Sequence, residues 1–186
     1  FNGMGKPVVV TDKGRHAVDA VVVAAGVRSG KLARQLGAKV VLDAERGYHI
    51  MLPRPEKSIN RYLQFAESRI SLSPKEGGLR MTSIVELASA DAPPDYRRIR
   101  KLKAQAARVL PGLTPEEKSI WMGSRPSLPD NVPVLARSPR HDNVFFAFGH
   151  SHLGMTMGPV SGRIIADLVA GRDPGLDMTP YAAVRP

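Results

Sequence analysis

The chain has 186 residues, enough for one large domain or two small ones, and its 42% hydrophobic and 24% charged residues are typical of a soluble globular protein. No apolar run approaches the roughly 20 residues of a membrane span, and the absence of cysteine excludes disulfides and thiolate metal sites. The formal net charge of +10 is compatible with nucleic acid, an anionic membrane surface or an acidic ligand as a partner.

Two β-branched runs near the start, at residues 7–11 and 16–24, predict a pair of strands. Residues 12–15 between them predict a hairpin turn in which Gly14 takes up the unusual φ. The second run is almost continuously apolar at Val21–Val23, which is typical of a strand that is covered on both faces.

A short helix is expected after this second strand. Gly26 ends the apolar run, and Ser29 fits the N-cap of a helix over residues 30–36. Gly37 fits the residue that closes the helix. A further strand is predicted at residues 39–43.

The middle of the chain predicts an antiparallel sheet. Strand-type runs occupy residues 47–52, 62–65, 69–72 and 79–87, and residues 76–78 predict a hairpin turn before the last of them.

The longest helix is predicted from residue 93 to 110, ended by Pro111 and Gly112. One face carries apolar residues at helical spacing: Ile99, Leu102, Ala106, Val109 and Leu110. Basic residues cluster at 97–103. We interpret that cluster as a solvated helix face, because nucleic-acid binding would favour aromatic platforms and aromatics are only 5% of the chain.

The last third predicts a strand at 118–123, an irregular Pro-rich segment at 125–139, a strand at 143–148 and a helix at 157–170 followed by Gly171. A Gly-rich, His-bearing loop joins the last strand to the last helix, and such junctions direct backbone N–H groups at negative charge. The fold class is therefore α/β at both ends and α+β, with an antiparallel sheet, in the middle.

Four segments, in chain order, carry a family resemblance. They are VVVAAGVRS (21–29), ERGYH (45–49), WMGSRPSLPDNVPV (121–134) and GHSHLG (149–154). Together they resemble the FAD-dependent D-amino-acid oxidase/dehydrogenase family, and most closely its D-amino-acid and hydroxy-D-proline dehydrogenase members. The resemblance implies an FAD-binding part at residues 1–42, a substrate-binding domain at 43–120 and a return to the FAD-binding domain at 121–186.

The resemblance also implies site residues. The residues implied to contact flavin are Gly26, Gly47, Gly149, His150, Gly154, Met155 and Thr156. Those implied for substrate and catalysis are Arg125, His152, Tyr48 and His49. Arg125 would hold the substrate carboxylate through a bidentate pair, and the helix that starts near Gly158 and Pro159 would stabilise charge on the flavin.

Each of these assignments has a structural alternative. Gly26 and Gly47 fit a tight turn or a bulge, Arg125 fits an ion pair, and the two histidines fit a role in ordering their loop. A metal site at His150 and His152 lacks a third ligand at suitable spacing. Tyr48 and His49 alternate along a strand, so only one of them is expected to face the site. Val160, Ile164, Ile165 and Leu168 are expected to form core.

The implied chemistry is oxidation of a D-amino acid or D-proline-type imino acid by hydride transfer to N5 of non-covalent FAD. A complete member begins with a strand, a Gly-x-Gly-x-x-Gly motif and a helix. Here Gly3 and Gly5 are followed by Lys6 and Pro7, so that motif is missing. We therefore expect the later half of a longer enzyme, with FAD held weakly or not at all.

Several partners and one alternative function follow from this interpretation. The partners are an amino-acid substrate, oxygen or a quinone as electron acceptor, and the missing amino-terminal half. Nucleic acid is not expected, and the expected location is the cytoplasm or the inner face of the membrane, with peripheral association. The main alternative function is a non-catalytic half-fold that serves as a binding or interaction module without flavin.

Overall fold

The chain divides into two units, each with its own hydrophobic core. The structure, a computed structural model, describes residues 1–3, 5–54, 59–110, 112–113 and 116–185. The first unit comprises Phe1–Ala44 and Arg125–Pro186, and the second comprises Glu45–Ser124. The expected domain boundaries at 42/43 and 120/121, and the assignment of flavin or substrate binding to each domain, stay predictions.

The elements of the described chain follow one another in this order: β1 (Val8–Thr11), β2 (Gly14–Ala17), β3 (Val21–Val23), α1 (Ser29–Gln35), β4 (Asp43–Leu52), β5 (Leu63–Phe65), β6 (Ile70–Lys75), β7 (Gly78–Leu87), α2 (Arg97–Val109), β8 (Ser119–Ser127), β9 (Val134–Arg137), β10 (Val144–Phe148) and α3 (Gly154–Val169). Short 3-10 turns lie at Gly26–Arg28 and Thr179–Tyr181.

The first unit is built on a three-stranded sheet in the order β3-β10-β9. β10 lies in the centre, parallel to β3 and antiparallel to β9. Its central position explains its apolar sequence, because both faces of β10 are covered. On one face Phe146 and Phe148 are buried with Val23. On the other face Ala147 packs against the cluster formed by Leu135 of β9 and Ile164 and Ile165 of α3.

The second unit is built on a five-stranded sheet in the order β5-β6-β7-β4-β8. The three pairings β5-β6, β6-β7 and β7-β4 are antiparallel, which confirms the antiparallel sheet expected for the middle of the chain. Alternating residues of β4, β6 and β7 point into one core with Ile99 and Ala106 of α2. The register between β4 and β7 shifts between Gly47 and His49.

Several sequence expectations near the start were wrong. The run 16–24 splits into β2 and β3, and Val22 is 43% exposed rather than covered. Residues 39–42 form no strand. Ser29 is the first residue of α1 and makes no capping hydrogen bond, because its backbone is already helical. Gly37 closes the helix as expected, with φ +82°.

Other expectations failed in the last third. The segment 125–139 is not wholly irregular, since Arg125–Ser127 completes β8 and Val134–Arg137 is β9. Helix α3 begins at Gly154 and not near Gly158, so Pro159 lies within its second turn. Val160 is 43% exposed and is not core. Pro111 and the side chain of Val109 lie outside what the structure describes.

Candidate functional site

The loop at residues 149–153 of the first unit is held in an unusual backbone conformation. Gly149 has φ +87°, and a Cβ there would lie 2.4 Å from Cδ1 of Leu128. Ser151 has φ +48°, its N–H donates to the carbonyl of Pro126 (3.0 Å), and its hydroxyl donates to Oδ1 of Asn131 (2.9 Å). Positive φ at a non-glycine residue costs energy and persists only where the surroundings enforce it. The loop is therefore fixed against the end of β8.

His150 connects the same loop to α3. Its Nε2 lies 2.9 Å from the hydroxyl of Ser161, which is itself buried. Burial lowers the pKa of His150, so the ring is neutral at pH 7. Its neighbour His152 is exposed. Among the described residues no group of three His, Cys, Asp or Glu side chains is arranged to hold a metal ion.

The first turn of α3 presents backbone donors to the exterior. In any α-helix the first N–H groups have no carbonyl one turn earlier to bind. Here the N–H of Met157 already bonds to the carbonyl of Leu153 (2.8 Å), and no side chain within the described residues caps the helix. The N–H groups of Gly154, Met155 and Thr156 are thus left for a ligand, and the Met155 side chain is 97% exposed. Such a helix end favours negative charge.

Arg125 lies close to the end of β8. Its Nη1 is buried and has no hydrogen-bond partner among the described residues. A buried guanidinium nitrogen without a partner costs free energy, about 1–3 kcal/mol or more. A ligand oxygen at this point would supply the missing acceptor.

Gly26 opens the 3-10 turn before α1. Its φ is +56°, and a Cβ built on it would meet nothing within 4 Å. The positive φ accounts for glycine by itself, while the open space leaves room for a ligand to approach the backbone. Both interpretations of Gly26 from the sequence remain compatible with this geometry.

In the second unit, Tyr48 points into the core. It is 3% exposed, its hydroxyl donates to Oε2 of Glu86 (2.5 Å), and it accepts hydrogen bonds from Nη2 of Arg46 (3.0 Å) and the N–H of Asp95 (3.2 Å). Burial, followed by the bond to Glu86, raises the pKa of Tyr48. Its hydroxyl is therefore engaged within the protein, and its neighbour Gly47 is buried in the same strand.

His49 lies on the other side of β4, half-buried, as the alternation along a strand requires. Its ring lies 5.1 Å from that of Trp121, at an interplanar angle of 32°. The Trp121 ring in turn covers Gly123, where a Cβ would lie only 2.0 Å from it. Burial, and then the positive charge of Arg80, lower the pKa of His49.

The expected site residues therefore fall into two groups. The first unit joins the end of β8, the loop 149–153 and the start of α3 through the bond between Pro126 and Ser151. The second unit holds Gly47, Tyr48 and His49 together on β4. Three contact residues were not singled out from the sequence. Asn131 and Ser161 bind the loop 149–153, and Trp121, which begins one of the motif segments, packs against His49.

Comparison with known proteins identifies the family of the chain. The FAD-dependent oxidoreductase family, DAO, matches residues 2–168. The chain belongs to this family. A D-amino-acid oxidase of Bradyrhizobium diazoefficiens is 33% identical over 181 residues, which cover 95% of this chain and 43% of that protein. A glycine oxidase of Pseudomonas aeruginosa is 31% identical over 175 residues, covering 94% of this chain and 48% of that protein.

The fold of this DAO-family chain matches solved structures of the same kind. The crystal structure of glycine oxidase from Geobacillus kaustophilus superposes with a TM-score of 0.82 at 26% identity, over 97% of this chain and 49% of that one. The expected mixed α/β fold and the membership of a family of FAD-dependent amino-acid oxidoreductases are confirmed. The chain spans about half the length of the relatives that it matches.

The residues of the first unit fit the FAD that the family uses. The unpaired N–H groups at the start of α3 can donate to the carbonyl oxygens and ring nitrogens of a flavin, and the open space over Gly26 admits a ligand. Among the described residues, no helix combines the length and apolar character of a membrane span.

Proposed function

We propose that this chain is the carboxy-terminal portion of an FAD-dependent enzyme that oxidises D-amino acids or D-proline-type imino acids. The observation that carries the proposal is the buried Nη1 of Arg125, which lacks a partner in the described chain. A substrate carboxylate is the ligand that a planar guanidinium binds best, through two parallel hydrogen bonds.

The site residues of the first unit then have separate roles in binding substrate and cofactor. Arg125 fixes the carboxylate and so orients the Cα–H bond of the substrate. The N–H groups of Gly154, Met155 and Thr156 bind the pyrimidine edge of the cofactor and oppose negative charge there. His150, held by Ser161, keeps the loop in place as a neutral side chain. His152, at the exposed end of the loop, lines the substrate pocket.

FAD, when bound, accepts the hydride that leaves the substrate Cα. The amino acid must enter with a neutral amine, because loss of hydride from Cα leaves a carbon–nitrogen double bond. For a D-amino acid, the resulting imine is released and hydrolysed by water to a 2-oxo acid and ammonia. A D-proline-type acid gives a cyclic imine, in which the nitrogen stays attached to the carbon chain and no ammonia is released. In the second unit, His49 and Gly47 are proposed to line the substrate and flavin pocket, while Tyr48 supports β4 from within the core. Oxygen or a quinone would reoxidise the cofactor.

The proposed partner for catalysis is an amino-terminal portion that carries the dinucleotide motif. Expression of the whole reading frame that contains this chain, followed by measurement of bound flavin, tests this point directly. We expect stoichiometric visible flavin absorbance in the longer protein and weak or absent absorbance in the 186-residue chain. Stoichiometric flavin on the 186 residues alone would contradict the expectation of weak binding.

The substrate assignment is tested in the flavin-loaded protein by anaerobic bleaching with D-alanine and D-proline. Arg125→Met is expected to raise the substrate concentration for half-maximal bleaching by about 100-fold, because two charge-assisted hydrogen bonds are lost. Arg137→Met, on the exposed side of β9, serves as the matched control and should change little. A wild-type protein that no amino acid bleaches would favour the non-catalytic binding module instead.

A further inference from the structure

A second buried polar group without a partner lies next to Arg125. The hydroxyl of Ser127 is buried, the residue is only 6% exposed, and no hydrogen-bond partner for it exists among the described residues. Serine hydroxyls rotate freely to find partners, so a buried one that finds none is uncommon and needs an explanation.

Arg125 and Ser127 share one face of β8. Both lie within the strand, two residues apart, and side chains at that spacing point to the same side. Pro126 lies between them, and its carbonyl accepts the N–H of Ser151 (3.0 Å). That bond holds this end of the strand against the fixed loop, so the two donors are presented from a rigid backbone.

A single carboxylate can use both groups. It offers about four lone-pair positions, and a bidentate guanidinium occupies two of them. One donor from a neighbouring hydroxyl satisfies a third position and at the same time gives the buried hydroxyl its partner. A neutral carboxamide has one oxygen with two lone pairs, which is too few acceptor positions for a bidentate guanidinium and a hydroxyl together.

We propose that Ser127 is a second binding residue for the substrate carboxylate, donating a hydrogen bond to the oxygens that Arg125 holds. This inference rests on the proposed function, since it uses the same ligand. It also has a consequence for folding: the hydroxyl lowers the stability of the ligand-free protein and contributes only when a carboxylate is bound.

The test uses the flavin-loaded longer protein and measures the D-alanine concentration for half-maximal anaerobic bleaching, together with the melting temperature of the protein without substrate. Ser127→Ala is expected to weaken D-alanine binding about tenfold, the effect of one hydrogen bond to a charged group. The same variant should melt at the same temperature as the wild type or higher. The requirement for D-alaninamide, which lacks the carboxylate charge, should differ less between the two proteins. Ser127→Thr keeps the hydroxyl and should restore most of the affinity for D-alanine.

Ser138→Ala is the matched control, because Ser138 is also 6% exposed but its hydroxyl accepts the N–H of Arg140 (3.3 Å). That variant should lose stability and leave D-alanine affinity unchanged. A fall in melting temperature for Ser127→Ala that equals the fall for Ser138→Ala would mean that the hydroxyl has an internal partner, and would overturn the inference.

The role of Ser127 and the proposed function would be rejected by different results. If Arg125→Met abolishes D-alanine binding while Ser127→Ala leaves it unchanged, the role of Ser127 is wrong and the proposed function stands. If Arg125→Met also leaves the D-alanine requirement unchanged, or neither D-alanine nor D-proline bleaches the flavin-loaded longer protein, the proposed function fails, and the inference about Ser127 fails with it.

Discussion

Arg46 and Glu86 face each other across β4 and β7, and Nε of the arginine lies 3.2 Å from Oε2 of the glutamate. Arg46 is fully buried. Its guanidinium also donates to the carbonyls of Ser89 (3.3 Å) and Pro93 (2.8 Å) and to the hydroxyl of Tyr48 (3.0 Å). The cluster ties the sheet of the second unit to the segment that leads into α2.

Replacement of Glu86 by Gln should strongly destabilise the second unit. The change leaves the buried Arg46 charge without its counter-ion, and breaking a buried pair in this way costs about 3–5 kcal/mol. Urea unfolding followed by circular dichroism measures the loss. Glu76→Gln, in the exposed turn before β7, is the control and should stay within about 0.5 kcal/mol of wild type. Equal free energies of unfolding for the two variants would show that the pair between Arg46 and Glu86 does not stabilise the second unit.

Gly78 is expected to tolerate no side chain. Its φ is +141°, and a Cβ would lie 2.2 Å from the carbonyl oxygen of Leu52 on the neighbouring strand, so Gly78→Ala combines backbone strain with a clash that only main-chain movement relieves. Gly14→Ala provides the comparison, since Gly14 has φ +135° with open space around it. We expect strain of about 1–3 kcal/mol in both variants and a further loss in Gly78→Ala alone. Thermal unfolding that gives the same loss for both would argue against the clash.

Trp121 is the single tryptophan of the chain, so its fluorescence reports directly on its contact with His49. Protonated imidazole quenches indole more than the neutral ring, and burial together with Arg80 lowers the pKa of His49. As the pH is lowered, the fluorescence of Trp121 should therefore fall. The midpoint of this change should lie below pH 6.5, the ordinary pKa of histidine. His49→Gln should remove the titration. Gly123→Ala should shift the emission at every pH by displacing the ring.

The ion pair between Asp130 and Arg185 should give the first unit a small acid-sensitive contribution to stability. The hydrogen bond from Arg185 lowers the pKa of Asp130. A carboxylate whose pKa is lowered on folding stabilises the protein above its ordinary pKa, near 3.8, and this contribution is lost as the pH falls further. Asp130→Asn should therefore cost less than about 1 kcal/mol at pH 7, because the pair is partly exposed. The difference should shrink as the pH falls below 3.8; a loss that is constant with pH would point to a cause other than the charge.

Local patterns accounted for the sheet of the second unit and for most helices. The alternation in β6 and β7 and the turn between them are visible in the sequence, because neighbouring residues alone define them. The predictions from sequence were wrong where contacts between distant segments decided burial or the end of an element. Val22 has the composition of a covered strand, yet it lies on the edge strand β3 with 43% of its surface exposed. Pro159 suggested a helix start, but the first turn of α3 forms one turn earlier.

Four short motifs in the right order indicated the family without any knowledge of distant contacts, and they singled out Arg125 and the loop at 149–154. The contacts of those residues became visible only when the chain was folded. Tyr48 is directed into a buried cluster with Glu86, 38 positions away, and within the described part of the chain the buried hydroxyl of Ser127 has no hydrogen-bond partner. The burial of Tyr48 with Glu86 and of the Ser127 hydroxyl arises when distant segments pack together, and no local pattern encodes it.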